Sequence, residues 1–299
     1  MTPELSVVIA TRDRAEFLRQ ALASLESQTL SAPFEVVVAD NGSSDATATV
    51  VESMRSQAPF AVEYVYEPQP NRAKARNRAL AVARGAIVVF CDDDVQAPPA
   101  WLAAHAAAHA DGVPRIVNGP ILNVPSYACK PKPALANFSR ASLCTCNASV
   151  PRGALDGVGG FDESFDLYGW EDSELGIRLR EAGLGWKFAW DAAIWHVKSP
   201  EYDTLVAQTR KAIEKARMAR RFLEKHPSRR AAMATGAHGL NLLRARLLPE
   251  WIPALLAGMA ARESLPGWLR GLVRAQFLDV IYARELVRAL TQSDDGTPA

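Results

Sequence analysis

The chain has 299 residues, 48% of them hydrophobic and 22% charged, and a formal net charge of +1. That composition can bury a sizeable core, and near-neutrality gives no global attraction for nucleic acid. Four cysteines without a C-x-x-C pair exclude a zinc-finger framework, and no apolar run is long enough to predict a spanning helix.

The charge is unevenly placed. Residues 1–200 hold 18 Lys/Arg and 23 Asp/Glu, a net of −5; residues 201–299 hold 16 and 10, a net of +6. A division at 1–202 and 203–299 follows, with the tail a separate basic unit. Met-Thr-Pro-Glu-Leu has no basic-then-apolar leader, and the cysteines read as reduced core or near-site thiols, so a cytoplasmic protein is expected.

In chain order, Leu5–Ala10 is a buried strand and Ala15–Gln28 an amphipathic helix. Phe34–Ala39 is a strand ending at Asp40, before a capping turn over Asn41–Asp45 and a helix over Ala46–Ser56. Val62–Tyr66 is a third strand, and Asn71–Arg84 a basic helix closed by Gly85. Ile87–Cys91 then runs into Asp92-Asp93-Asp94. Continuous apolar runs of this kind suit parallel strands covered on both faces. Strand–helix alternation predicts an α/β fold with a doubly wound, mostly parallel sheet flanked by helices. Trp101–Ala110 reads as a helix, Arg115–Asn123 as a strand, 124–140 as a long loop at the mouth of a site, and Ser149–Phe165 as turns. Ser173–Ala182 is a helix and Trp186–Trp195 a late strand or strand pair. From about 204 the pattern is all helical, roughly 204–225, 229–247, 251–263 and 268–290, with Pro227, Pro249 and Pro266 at the gaps and a polar end, Ser293–Ala299.

Three carboxylates where a buried strand emerges repel one another unless solvated, protonated or neutralised. That edge is where ligands sit in open α/β sheets, and a hard divalent cation bridging Asp to phosphate fits it. An acidic loop in water is the plain alternative.

Several segments together resemble the metal-dependent glycosyltransferases of the GT-A fold, family 2 type: Ser6–Leu18, Val36–Asp45, Ala75–Arg78, Asp92–Asp94, Gly159–Phe165 and Gly169–Glu174, in the family's order over residues 5–200. The resemblance implies a GT-A-like fold with a C-terminal helical extension outside it. It implies an inverting transfer of a sugar from a nucleoside-diphosphate sugar, UDP-linked by preference, to a hydroxyl acceptor in bacterial glycan or glycoconjugate synthesis. Glycan, lipid-linked and small-molecule acceptors all stay open.

Site roles follow residue by residue. Asp40 reads the base, with Thr11 and Asp13 lining the same pocket; a turn-initiating Asp40 is the plain alternative. Arg72 and Arg76 reach a diphosphate, or else form a solvated basic face with Lys74 and Arg78. Asp92 addresses the ribose, Asp93 faces the donor, and Asp94 with His196 holds Mn²⁺ or Mg²⁺; a His packed beside Trp195 is the alternative. Asp172 is the general base, Glu171 binds an acceptor hydroxyl, and Trp170 stacks on an acceptor ring or merely packs. Asn147 is expected near the donor sugar.

The tail packs or dimerises, extends the acceptor pocket, or lies peripherally on the anionic inner face of a membrane through Trp251, Trp268 and the arginine-flanked stretch Leu265–Leu290. Two other functional classes compete. A nucleotidyltransferase is disfavoured because Thr11-Arg12-Asp13-Arg14 has no glycine. A non-catalytic nucleotide-sugar-binding scaffold is disfavoured by intact Asp94 and Asp172.

Overall fold

The computed structural model describes residues 2–198 and 204–291, which fall into two compact units. One comprises residues 2–166 and 171–198; the other comprises 167–170 and 204–291. The expected boundary at 202/203 and the polar end Ser293–Ala299 lie outside the described residues. The short segment Leu167–Trp170 groups with the helices, a departure from a division at one point in the chain.

The first unit is α/β. Its elements are β1 (Leu5–Thr11), α1 (Ala15–Leu25), β2 (Phe34–Asp40), α2 (Thr47–Gln57), β3 (Ala61–Tyr66), α3 (Arg72–Val82), β4 (Ile87–Asp92) and β5 (Val95–Gln96). There follow α4 (Trp101–His109), β6 (Arg115–Asn118), β7 (Ile121–Val124), β8 (Asn147–Pro151), α5 (Arg152–Gly157), α6 (Glu171–Glu181), β9 (Gly185–Phe188) and β10 (Ile194–Val197). Seven strands form one sheet in the order β3-β2-β1-β4-β8-β6-β9, parallel except where β8 runs against β4 and β6. A smaller sheet orders β5-β10-β7.

The sheet alternates its side chains between two cores. Leu5, Val7, Ile9, Val36, Val38 and Val89 enter one with α1 residues Leu18 and Leu22. Val8, Val37, Ala39, Val88 and Phe90 enter the other with Ala79 of α3 and Leu175 and Leu179 of α6. Burial on both faces is why these strands read as continuous apolar runs. Each buried Val, Leu, Ile or Phe among them contributes about 1.5–3 kcal/mol of transfer free energy.

Four expectations are corrected. Arg115–Asn123 is two strands in different sheets, separated at Gly119-Pro120; a Cβ on Gly119 would come 2.0 Å from the Ala192 carbonyl oxygen. The stretch read as turns contains the end of β8 and all of α5. Helix α3 ends in extended backbone at Ala83. Gly85 is therefore no cap but a close approach to β1, its hypothetical Cβ 2.4 Å from Ser6 N. In the second unit, α7 (Leu205–Lys225) is followed by two helices where one was expected, α8 (Arg229–Thr235) and α9 (Gly239–Leu247). They part at Gly236, whose φ of +73° closes α8 in the left-handed region. Helices α10 (Trp251–Ala260) and α11 (Gly267–Thr291) complete the unit. No helix of the described residues is long and apolar enough to cross a membrane.

Candidate active site

Strand register assembles the site. Thr11 lies opposite Asp40 across the β1–β2 ladder, and Ala10 opposite Asp92 across β1–β4. Asp40 and Asp92 therefore flank β1 at one carboxyl edge. Antiparallel β8 starts at this edge, with Asn147 opposite Cys91, so Thr145 and Cys146 arrive there as well. The small sheet contributes His196, opposite Val95 and Asn123, while Val197 N–H donates to the Asp94 carbonyl.

The acidic triplet is not a solvated loop: Asp93 and Asp94 are buried. Arg14, not singled out in the sequence, bridges them, Nη1 to Asp93 Oδ1 at 2.6 Å and Nη2 to Asp94 Oδ2 at 2.8 Å. Thr11 Oγ1–H donates to Asp93 Oδ2. Burial holds Asp93 above the usual carboxylate range despite Arg14. Burial also acts on Asp94, but His196 and Arg14 outweigh it and hold that carboxyl low.

Asp94 Oδ1 is buried, faces His196 Nε2 at 2.8 Å and takes no other hydrogen bond. His196 Nδ1 lies 3.0 Å from Asn123 Oδ1, an acceptor, which places a proton on Nδ1. Nε2, left with its lone pair, also lies 3.2 Å from Lys198 Nζ, a donor that faces that lone pair, so a cation held by Asp94 and His196 would have to displace the ammonium. The donor set of buried carboxylate oxygen and imidazole nitrogen fits a divalent ion of the Mn²⁺ kind.

Glu171 and Asp172 open α6, where the helix dipole favours carboxylates. Buried Arg76 sits among three acids: Nη1 is 3.2 Å from Glu171 Oε1 and 3.7 Å from Asp172 Oδ1, and Nη2 is 4.0 Å from Asp92 Oδ1. Burial and the neighbouring Asp172 charge raise the Glu171 pKa against Arg76 and Arg72. Thr145 pins Asp172 by donating its N–H and Oγ–H to Oδ2, at 3.0 and 2.9 Å. Oδ1 of Asp172 is buried without a hydrogen-bond partner. Glu174, the third acid, pairs with Arg178 within the helix.

On the other flank, Asp40 is nearly inaccessible, at 1% exposure, and both oxygens are engaged: Ser43 N–H donates to Oδ1 and Tyr64 O–H to Oδ2. It makes the turn that sequence allowed as its alternative role. Asp13, at φ +51°, accepts from Ser44 N–H and Oγ–H and so latches the β1 loop to the β2 turn. Arg72 stands at the start of α3.

Trp170 takes the packing role that the sequence allowed as its alternative, and the expectation for Asn147 is corrected. Trp170 is packed within the helical unit: its ring lies 4.9 Å from Phe222, Lys215 Nζ sits 5.3 Å from the ring centroid, and Nε1–H donates to the Lys215 carbonyl. Asn147 is a fully buried connector rather than a sugar contact. Its amide donates to the Pro120 and Ala192 carbonyls, and its oxygen accepts from Trp101 and His105. Sequence reasoning missed Arg14, Thr145, Asn123 and Asn77. The last clasps Phe161 by accepting from its N–H and donating to its carbonyl. For Arg14 and Thr145 the signal available was a polar residue adjoining a strand end; Asn77, inside α3, and Asn123, inside β7, offered none.

Against known proteins, residues 6–127 match glycosyl transferase family 2, and residues 128–202 match the N-terminal domain of galactosyltransferase. Validoxylamine A glucosyltransferase of Streptomyces hygroscopicus subsp. jinggangensis is 30% identical over 267 residues, which cover 76% of this chain and 62% of that protein. Its counterpart in subspecies limoneus is 31% identical, covering 76% and 57%. The chain thus spans about three-fifths of these relatives' lengths. Among solved structures, the Pyrobaculum calidifontis mannosyltransferase PcManGT with GDP-Man and Mn²⁺ superposes with a TM-score of 0.67 at 22% identity, over 97% of this chain and 87% of that one. Staphylococcus aureus TarS 1–349 with UDP-GlcNAc gives 0.58 at 19%, over 96% and 90%. These last two likenesses speak to the fold. Through residues 6–127, this chain belongs to glycosyl transferase family 2.

Proposed function

We propose that this protein is an inverting, divalent-cation-dependent glycosyltransferase that moves a sugar from a nucleoside-diphosphate sugar to an acceptor hydroxyl. One observation carries the reading: Asp172 is held through one oxygen by Thr145 while its other oxygen is buried without a hydrogen bond, facing Arg76 Nη1 at 3.7 Å. That is the condition of a positioned general base. Glu171 orients the acceptor, and Arg76 offsets the negative charge of both carboxylates. As the acceptor oxygen forms its bond to the anomeric carbon, its proton passes to Asp172 Oδ1. The bond to the diphosphate breaks on the opposite face and the anomeric centre inverts.

Asp40, Thr11 and Asp13 shape the base side of the donor pocket, Arg72 faces the diphosphate, Asp92 the ribose and Asp93 the donor. Asp94 and His196 hold the cation, Mn²⁺ or Mg²⁺, which when bound neutralises charge growing on the leaving diphosphate. A uridine donor is the first to try, with Asp40 acting through the turn it holds rather than by touching the base. The names of the two Streptomyces relatives make validoxylamine A the first acceptor to try.

The test is thermal stabilisation by UDP, dTDP, GDP and CMP, each with Mn²⁺, Mg²⁺ or EDTA. A ligand at about 100 times its Kd adds roughly 2.7 kcal/mol. A cation-dependent shift with one nucleoside diphosphate, lost in Asp94→Ala, is expected. No shift with any nucleotide removes the transferase reading and brings the scaffold forward.

A second element of the proposal concerns the tail. Helix α10, Trp-Ile-Pro-Ala-Leu-Leu-Ala-Gly-Met-Ala, has no buried residue, and Leu247, Trp251 and Trp268 are 71%, 61% and 70% exposed. With a net charge of +6 over 201–299, this surface suits an anionic bilayer better than water or a like-charged second copy. Flotation with phosphatidylglycerol vesicles, but not with phosphatidylcholine vesicles, is expected. Failure to bind either, together with a dimer in solution, refutes it.

A further inference from the structure

Cys146 is not part of the chemistry proposed above, yet it stands at its centre. It is buried, and its thiol makes no hydrogen bond among the described residues. One ligand atom each from Asp92, Cys146 and His196 lie within 4.8 Å of one another. Three separate elements deliver them: Asp92 ends β4, Cys146 immediately precedes β8, and His196 lies in β10. A tetrahedral zinc with one sulfur and one imidazole ligand separates those atoms by roughly 3.5 Å. The three groups therefore need to close by about 1 Å, within reach of side-chain rotation.

The donor set is chemically distinct from the Asp94–His196 pair. Carboxylate and imidazole alone accept Mn²⁺ or Mg²⁺, whereas thiolate with imidazole selects softer ions, and divalent affinity rises from Mn²⁺ toward the end of the first row. We propose that Asp92, Cys146 and His196 form a thiolate-containing site for Zn²⁺, which shares His196 with the Asp94 cation position and so excludes the harder ion from it. On binding, the Cys146 S–H bond breaks, its proton goes to solvent, and sulfur donates a lone pair to zinc; no oxidant or reductant is involved. The proposal rests on the cation reading of this edge and adds a second, competing occupant to it. Zinc drawn toward Cys146 pulls Asp92 and His196 away from Asp94, so the softer ion acts as an inhibitor of nucleotide binding.

Co²⁺, a spectroscopic stand-in for Zn²⁺, tests this on the intact chain. Titration of the wild type is expected to produce an intense near-ultraviolet thiolate-to-metal charge-transfer band that Zn²⁺ abolishes by displacement. The band is expected to vanish in Cys146→Ser and Cys146→Ala and to persist in Cys144→Ser, with circular dichroism confirming that each variant is folded. Zinc affinity should fall by more than about 100-fold in the Cys146 variants, beyond what loss of an outer-shell partner costs. The cation-dependent thermal shift with UDP and Mn²⁺ should survive in both. A band that persists in folded Cys146→Ser overturns the proposal. No band in the wild type, although Mn²⁺ still supports the nucleotide shift, overturns it and leaves the cation reading standing. Absence of both the band and the shift overturns the two together.

Discussion

Replacing Arg14 by Met tests how the acidic edge is held together. Its guanidinium bridges Asp93 at 2.6 Å and Asp94 at 2.8 Å, with the two acid side chains 4% and 8% exposed and Arg14 28% exposed. Removing one partner of a buried ion pair costs about 3–5 kcal/mol, because the remaining charges lose their compensation. Arg14 is partly solvated, so the lower end applies, about 3 kcal/mol, together with the loss of its contact over the Phe17 ring at 4.6 Å. Urea denaturation should show a fall in midpoint of about 1 M or more. Met leaves the carboxylates without their resident guanidinium. Lys198 Nζ is still 3.2 Å from His196 Nε2, but a divalent ion held by Asp94 and His196 would face one positive neighbour fewer. At roughly 5 Å in high dielectric, that repulsion is about 1–2 kcal/mol. Mn²⁺ should therefore bind Arg14→Met about tenfold more tightly than the wild type and restore part of the lost stability. Arg14→Lys should be intermediate, since an ammonium keeps the charge but not the two-pronged geometry. A cost under about 1 kcal/mol, or Mn²⁺ stabilising the variant no more than the wild type, would refute the view that Arg14 serves as an internal counter-cation at the proposed metal position.

The remaining predictions concern catalysis, acid stability and packing. Asp172→Asn should lower kcat about 10²–10⁴-fold while the nucleotide-dependent thermal shift is retained; turnover within tenfold of wild type refutes the base assignment. His105, fully buried, has its pKa lowered from 6.5 to about 4 by burial, and His109, bonded to the same Ser149 hydroxyl, is lowered likewise. The unfolded chain then binds more protons than the folded one between pH 6.5 and 4, so stability falls as pH drops through that window, by about 3 kcal/mol for His105. Urea titrations at pH 7 and 4.5 should show that loss, and His105→Gln should reduce it. Gly85→Ala should destabilise by about 1–3 kcal/mol, because its Cβ would meet Ser6 N at 2.4 Å. Adding Ser6→Ala should not rescue the melting temperature, since the obstruction is backbone.

Legibility from sequence divides along a physical line. Strands β1, β2 and β4 are buried on both faces, and their unbroken apolar runs announced them. The acids that end them, Asp40 and Asp92, could be placed at one edge by topology alone. Strand β8, Asn-Ala-Ser-Val-Pro, carries only two apolar side chains of use to the core, Ala148 and Val150. Its polar members are consumed by buried hydrogen bonds to Trp101, His105 and His109, which no hydropathy pattern records. Its invisibility hid Thr145 and Cys146, whose positions depend on the antiparallel register Cys91↔Asn147. Strands β5, β7 and β10 are two to four residues long, too short for a period to show. The neighbours of His196 were therefore not readable, although His196 itself was singled out. The two roles open to Trp170 could not be separated, because a Gly-Trp pair before an acidic helix start looks alike whether the ring is free or packed against Phe222.

The charge arrangement bears on how a diphosphate would be met. Five carboxylates, Asp92, Asp93, Asp94, Glu171 and Asp172, gather at one sheet edge, and the two guanidiniums set among them are already committed. Arg14 answers Asp93 and Asp94, and Arg76 answers Glu171, Asp172 and Asp92. Arg76 was expected to grip the diphosphate, but an incoming phosphate would have to draw it from three acids that already surround it at 3.2–4.0 Å. Desolvating a dianion against this acidic edge is unfavourable unless positive charge arrives with it. Within the proposed mechanism that charge is the divalent ion, with Arg72 at the start of α3 beside it. The arginines make the acidic site foldable before any ligand is present, and the cation makes it hospitable to a nucleotide. Donor affinity should consequently collapse on chelation far more than on Arg72→Ala. The opposite ranking would place the burden of phosphate binding on the protein's own cations and remove the metal from donor recognition.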